Sequence, residues 1–82
     1  MKIKVKLFAF YRQIAGRDEI VLQIPSNRTI SWLEAKLMVD FPEIDRLSIK
    51  PLISVNAEFA SADHILKNGD IVALLPPFSG GQ

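Results

Sequence analysis

The sequence predicts an α+β domain in which a mixed sheet of four to five strands carries one main helix packed on one face. Three observations predict it. Residues 2–10 alternate strictly, with Ile3, Val5, Leu7 and Ala9 on one side and Lys2, Lys4, Lys6, Phe8 and Phe10 on the other. Period two over that length is a strand with one buried face. Ile30, Leu33, Leu37 and Phe41 recur at helical spacing,. The run DIVALLP at 70–76 is the most apolar strand-like stretch, which suits the middle of a sheet.

The elements follow in order. YRQIAG at 11–16 reads as a short helical turn closed by Gly16, which tolerates positive φ,. EIVLQI at 19–24 alternates again and ends at Pro25, which has no N–H for a ladder,. The main helix lies within 27–42. Thr29 or Ser31 is its N-cap, and Ser31 with Glu34 matches a capping box,. Trp32, Ala35 and Val39 are expected to widen the apolar stripe, and Pro42 stops the helix,. Residues 43–51 lack a clear period and read as a loop with room for one more helical turn. LISVNAEFA at 52–60 is a strand that bends near Asn56, and LKNGD at 66–70 is a tight turn around Asn68-Gly69,.

A hairpin, a crossover helix and three more strand segments allow the first and last strands to lie parallel at the sheet centre. That arrangement is the β-grasp of ubiquitin-like proteins, and by itself it assigns no function. The domain is expected over 1–75, with an extended tail over 76–82.

Composition narrows the function classes. At 82 residues the chain is one domain near the lower size limit for a core-stabilised fold,. Hydrophobic residues make up 49% of it, which argues for a packed domain,. It has no cysteine, so disulfides, thiolate metal sites and a cysteine nucleophile are excluded,. A net charge of +1 gives no overall field toward nucleic acid or membrane,. Apolar runs are too short to span a bilayer, and the N-terminus lacks a signal-peptide pattern; a cytoplasmic location is expected. Lys2, Lys4, Lys6, Arg12 and Arg17 all precede the first acid, Asp18. They read either as a basic docking surface or as a solvated strand face whose lysines discourage edge pairing.

No catalytic constellation emerges. His64 is the only histidine, and a metal site needs three or four ligands, so no metal is expected,. Ser79 has no histidine or lysine nearby in sequence to activate it,. The one Gly-Gly pair precedes no helix that could bind a phosphate,. The chain is expected to bind no cofactor and to hold no catalytic site of its own.

The tail is the informative segment. Pro76-Pro77 fixes φ and favours an extended path away from the body,. From Pro76 to Gly81 the chain can reach about 20 Å at ~3.3 Å per residue. Gly80 and Gly81 carry no side chains, so the tip suits a narrow channel in another protein.

LKNGDIVALLPPFSGG at 66–81 resembles the C-terminus of the MoaD/ThiS sulfur-carrier family. SVNAEFA at 54–60 resembles the family's Val-Asn-x-Glu segment, and LFAFYRQIAG at 7–16 its first strand and turn, including Arg12 and Gly16. The resemblance covers essentially the whole chain and implies a sulfur-carrier subunit of molybdopterin synthase. An E1-like adenylating enzyme would use ATP and Mg on the Gly81 carboxylate. A sulfur donor protein would then turn it into a thiocarboxylate for the large synthase subunit, which builds the dithiolene. Gly81 would carry the sulfur, Gly80 would give it passage, and Pro76, Pro77, Phe78 and Ser79 would position the arm. The alternatives are a carrier for thiamin or tRNA thiolation, a ubiquitin-like modifier, or a non-covalent β-grasp binding module. The sequence departs from the family's working form by Gln82, and trimming of that residue fits an otherwise intact motif better than an artefact or a non-carrier relative.

A partner surface is expected on the helix-free sheet face. Phe8 shares a strand face with Lys4 and Lys6, Phe59 sits in a short edge-like segment, and Leu75 adjoins the tail. With Arg12 they would form an exposed interaction site; the alternative is that Phe59 or Leu75 fills the core.

Overall fold

The computed structural model describes residues 1–77. The elements run β1 (Lys2–Leu7), α1 (Ala9–Ala15), β2 (Glu19–Gln23), α2 (Ile30–Asp40), α3 (Pro42–Arg46), β3 (Leu52–Val55), β4 (Glu58–Phe59) and β5 (Ile71–Leu75). They build one five-stranded sheet in the order β2-β1-β5-β3-β4. β1 and β5 are parallel, with Val5 beside Val72 and Leu7 beside Leu74. The other neighbours are antiparallel. This is the expected β-grasp topology.

Alternation decides the faces. Ile3, Val5, Leu7, Ile53, Val55, Val72 and Leu74 turn inward and are buried with Ile30, Leu33 and Leu37 of α2. β1 ends at Leu7, not at residue 10 as the alternation suggested, because Ala9 takes φ 52° and a left-handed residue cannot continue the ladder,. The chain then turns into α1, which sends Tyr11 into the core, fully buried. Gly16 closes α1 at φ 76°, donating its N–H to the Arg12 carbonyl at 2.9 Å,.

Thr29, not Ser31, caps α2: its Oγ1 accepts the Trp32 N–H at 3.2 Å, and the Ser31–Glu34 box does not form. The first-turn N–H groups of Ile30 and Ser31 donate instead to the carbonyls of His64 and Ala62, which ties the loop before β5 to the helix,. The stripe is narrower than expected. Val39 is 77% exposed and Ala35 is also exposed, because a helix lying on a sheet buries only the sector through Ile30, Leu33 and Leu37,. Pro42 ends α2 and occupies the first turn of α3, where its missing N–H costs nothing,. α3 buries Ile44, so the expected loop is in part a helix.

The segment 52–60 divides into β3 and β4 around Asn56-Ala57, both at positive φ (51° and 72°), a two-residue hairpin turn,. Asn56 also reaches across the sheet. Its Oδ1 accepts the Ile71 N–H and its Nδ2 donates to Asp70 Oδ1, each at 3.0 Å, while Asp70 Oδ2 accepts the Lys67 N–H at 2.8 Å. Asp70→Ala would remove the acceptor of the Lys67 N–H and the Asn56 amide at a part-buried site, at a cost of about 1 kcal/mol,. A lowered urea midpoint with an unchanged slope is expected; an unchanged midpoint would refute this role.

Tyr11 Oη and Glu34 Oε2 are buried and have no hydrogen-bond partner among the described residues. Burial, and secondarily the Glu34 charge, raises the Tyr11 pKa,. The folded state therefore holds the phenol proton more tightly than the unfolded chain. This contribution is complete below the unfolded value of about 10 and is lost as pH rises through the raised folded value. Tyr11→Phe is expected to change stability by less than about 1 kcal/mol at neutral pH and to blunt the alkaline loss. Thermal melts at neutral and alkaline pH check both, and phenolate absorbance reports the titration directly because Tyr11 is the only tyrosine.

Candidate functional site

The helix-free face is built from the residues that alternation turns away from the core. On β1 these are Lys2, Lys4 and Lys6; on β2 Glu19, Val21 and Gln23; on β5 Ile71, Ala73 and Leu75; on β3 Leu52 and Ser54; on β4 Phe59,. Register places them in rows. Lys6 lies beside Ala73, Ala73 beside Ser54, and Ser54 opposite Phe59. Leu75 lies opposite Leu52. A basic stripe on β1 thus runs alongside an apolar strip on β5, β3 and β4.

The apolar strip is open to solvent. Phe59 is 72% exposed and Leu52 43%, so Phe59 is not core, while Leu75 is half-buried. Phe8 is 43% exposed. It stands at the N-cap of α1 with extended backbone, and its carbonyl accepts the Tyr11 N–H at 3.1 Å. Parallel register carries it one residue beyond the Leu7–Leu74 pair, level with Leu75. Arg12 is exposed on α1, four residues after Phe8,. Phe8 and Leu52 therefore flank Leu75 at the end of β5, and Phe59 lies further back, level with Ala73. Leu52 and Ile71 belong to the same face and were missed in the sequence; the signal was the burial of Ile53 and Val72, which turns their neighbours outward,.

Electrostatics on this face are weakly compensated. Lys4 Nζ lies 3.7 Å from Glu19 Oε2, with both side chains 42% exposed, a pair that contributes little in water. Lys2 and Lys6 are exposed beside it. The stripe therefore keeps positive charge available for an acidic surface.

Pro76 and Pro77 follow β5 directly and are half-buried. Phe78, Ser79, Gly80, Gly81 and Gln82, on which the tail chemistry rests, lie outside the described residues. Among the described residues no three His, Cys, Asp or Glu side chains gather as a metal site, and no helix is long and apolar enough to cross a membrane. His64 is exposed, and its carbonyl holds the start of α2.

The geometry has counterparts in known proteins. A molybdopterin synthase sulfur carrier subunit of Arabidopsis thaliana is 31% identical over 81 residues, covering 99% of this chain and 84% of that protein. The putative molybdopterin converting factor subunit 1 of Pyrococcus furiosus superposes with a TM-score of 0.86 at 30% identity, over 95% of this chain and 99% of that one. A protein–protein complex of subunits 1 and 2 of molybdopterin-converting factor from Helicobacter pylori contains a chain that matches with a TM-score of 0.69 at 24% identity. That match spans 99% of this chain and 100% of the other, a likeness of fold. The ThiS family profile matches residues 5–81, from the first strand through the glycine pair; the chain belongs to the ThiS family.

Proposed function

We propose that this chain is the sulfur-carrier subunit of a molybdopterin synthase, working in the cytoplasm through the carboxyl group of Gly81. The observation that supports the reading is where β5 ends. β5, a central strand, runs straight into Pro76-Pro77 between exposed Phe8 on one side and Leu52 and Phe59 on the other. A partner seated on that apolar strip would receive the tail in its own active site. The names of the Arabidopsis and Pyrococcus relatives support the pathway, and the Helicobacter complex supports a larger subunit as partner.

The chemistry follows from the terminal group. A carboxylate with a pKa of about 3.5 is ionised at neutral pH and is a poor electrophile. On an E1-like adenylating enzyme with ATP and Mg, a Gly81 carboxylate oxygen bonds to the α-phosphorus and pyrophosphate leaves. The terminal sulfur of a donor protein's persulfide then attacks the acyl carbon and AMP leaves; a second thiol reduces the resulting acyl disulfide, forming a disulfide with the donor and releasing the thiocarboxylate. The tail delivers that sulfur to the large subunit, and the glycines place no Cβ beside the reacting carbonyl. Pro76, Pro77, Phe78, Ser79 and Gly80 are the positioning arm. A carrier for thiamin or tRNA thiolation would share every step up to the thiocarboxylate.

Gly81 must be terminal for this to occur. With Gln82 attached, the Gly81 carbonyl is an amide and the free carboxylate belongs to glutamine. Incubated with the E1-like enzyme, ATP and Mg, the 81-residue chain is expected to form an AMP adduct by intact mass and the 82-residue chain is not. Co-expression with a sulfur donor should then add about 16 Da to the trimmed chain, oxygen replaced by sulfur. An equal adduct on both forms would defeat the requirement for a terminal Gly81. No adduct on either, with an enzyme active on its own carrier, would favour a non-covalent binding module.

Phe8→Ala tests the docking face. Its exposed ring is expected to contribute about 2 kcal/mol to binding of the large subunit while the melting temperature hardly moves, measured by calorimetric titration and thermal denaturation. Unfolding of the variant, or unchanged affinity, would remove Phe8 from the interface.

A further inference from the structure

The two edges of the sheet are not equivalent. β4 is two residues long, which leaves little ladder to offer,. β2 has five residues, Glu19–Gln23, with neither proline nor lysine among them. In its antiparallel pair with β1, the Asp18 carbonyl accepts the Leu7 N–H at 2.9 Å and the Ile24 N–H donates to the Met1 carbonyl at 2.8 Å. Inward and outward bonding alternate along such a ladder. Ile20 and Leu22 therefore bond to β1, while the N–H and C=O groups of Glu19, Val21 and Gln23 face away from it. Among the described residues, no strand lies beyond β2 in the sheet.

This outward row is self-complementary. We propose that two copies of the chain join antiparallel through β2 about a twofold axis at Val21, making one continuous sheet. Centred there, Val21 meets Val21 of the second copy, and Glu19 meets Gln23 of the second copy. Val21 is 52% exposed, so the meeting at the axis buries apolar surface that is now in water. Charge agrees with the register. Each Glu19 faces a neutral amide, and behind that amide, across the second copy's own β1–β2 pair, stands Lys2 of that copy. No like charges face each other across the junction. A twofold interface uses the same patch on both subunits, and an odd-length row with a central apolar residue satisfies that condition.

The helix side of the same edge fits a second copy. A groove of 490 Å³ lies between β2 and α2, lined by Gln23, Pro25, Trp32, Ala35, Lys36, Val39 and Asp40. Val39, the most exposed large apolar residue of the described chain, stands on its rim. A twofold axis normal to the sheet keeps both α2 helices on one side of the joined sheet, so the two grooves flank the junction. β1 separates β2 from β5, which leaves the tail exit free. Carrier chemistry and pairing through β2 are thus compatible, and the pairing does not depend on the carrier reading.

The test uses the full chain without partners. Sedimentation equilibrium from micromolar to millimolar concentration is expected to show a monomer–dimer equilibrium, with hydrogen exchange at the Glu19, Val21 and Gln23 amides slowing as concentration rises. Val21→Lys opposes two ammonium groups at the axis and is expected to raise the dissociation constant by about tenfold or more; its circular dichroism and melting temperature should match the parent. A monomer at millimolar concentration overturns the proposal. So does a dimer that Val21→Lys leaves intact with those amides unprotected, and so does a monomeric chain that instead takes an extended segment of another protein on β2.

Discussion

The parallel pairing of β1 with β5 is the constraint on which the rest of the molecule depends. It joins the first strand to the last described strand, and no short connection can make a parallel pair. The chain between them must cross over one face of the sheet, and α2 is the element that does so. The register is held at one end by the turn before β5. Asn68 Oδ1 accepts the Lys2 N–H at 2.7 Å, the Gly69 N–H donates to the Lys2 carbonyl at 2.8 Å, and the Lys4 N–H donates to the Asp70 carbonyl at 3.0 Å. Gly69 sits at φ 89°, a conformation that side chains rarely adopt, so glycine suits the position,. A slip of one residue would turn Val72 and Leu74 outward and bring Ile71, Ala73 and Leu75 into the core. The register that fills the core therefore also aims the strand end and its prolines.

That constraint divides the labour between the two faces. The covered face contains nearly all of the large buried side chains, and the hydrophobic effect acting there is the main stabilising term for so small a domain,. The open face is released from that duty. It carries lysines on β1 and exposed Leu52, Phe59 and Ile71 on its neighbours, a pattern that stability alone does not call for,. The polar network around Asn56 and Asp70 binds the β3–β4 hairpin, which bears Phe59, to the start of β5.

Much of this was legible because a single periodicity governed each segment. Alternation in β1 named its buried residues, and the Ile30, Leu33 and Leu37 spacing named the helix face. Failures came where one residue serves two neighbours. Pro42 is a stop for α2 and a start for α3, and a reading that stops there misses Ile44. Ala9 continues the alternation in sequence, yet its left-handed backbone diverts the chain into α1. Val39 satisfies helical spacing loosely, but a flat sheet touches only a narrow sector of a helix, and the spacing cannot say how narrow. Leu52 stayed unremarked because an apolar residue in a strand does not declare its face until its neighbours' burial is known. The tail was legible as a motif because two glycines after two prolines are read from covalent identity and not from packing.

A sulfur carrier asks little of its own side chains. A carrier needs an activatable end group, a reach that clears its own body, and a surface that successive partners can recognise. Only the last two depend on the fold. The central position of β5 meets both, since a strand flanked on each side cannot peel away when a partner draws on the tail, whereas an edge strand of equal length could. On the proposed reading the domain would act as a handle whose apolar strip supplies affinity and whose lysine stripe favours acidic surfaces through complementarity and encounter rate. On the same reading, activation and transfer belong to the proteins that receive the tail. A change on the covered face would act through stability, and one on the open face through recognition.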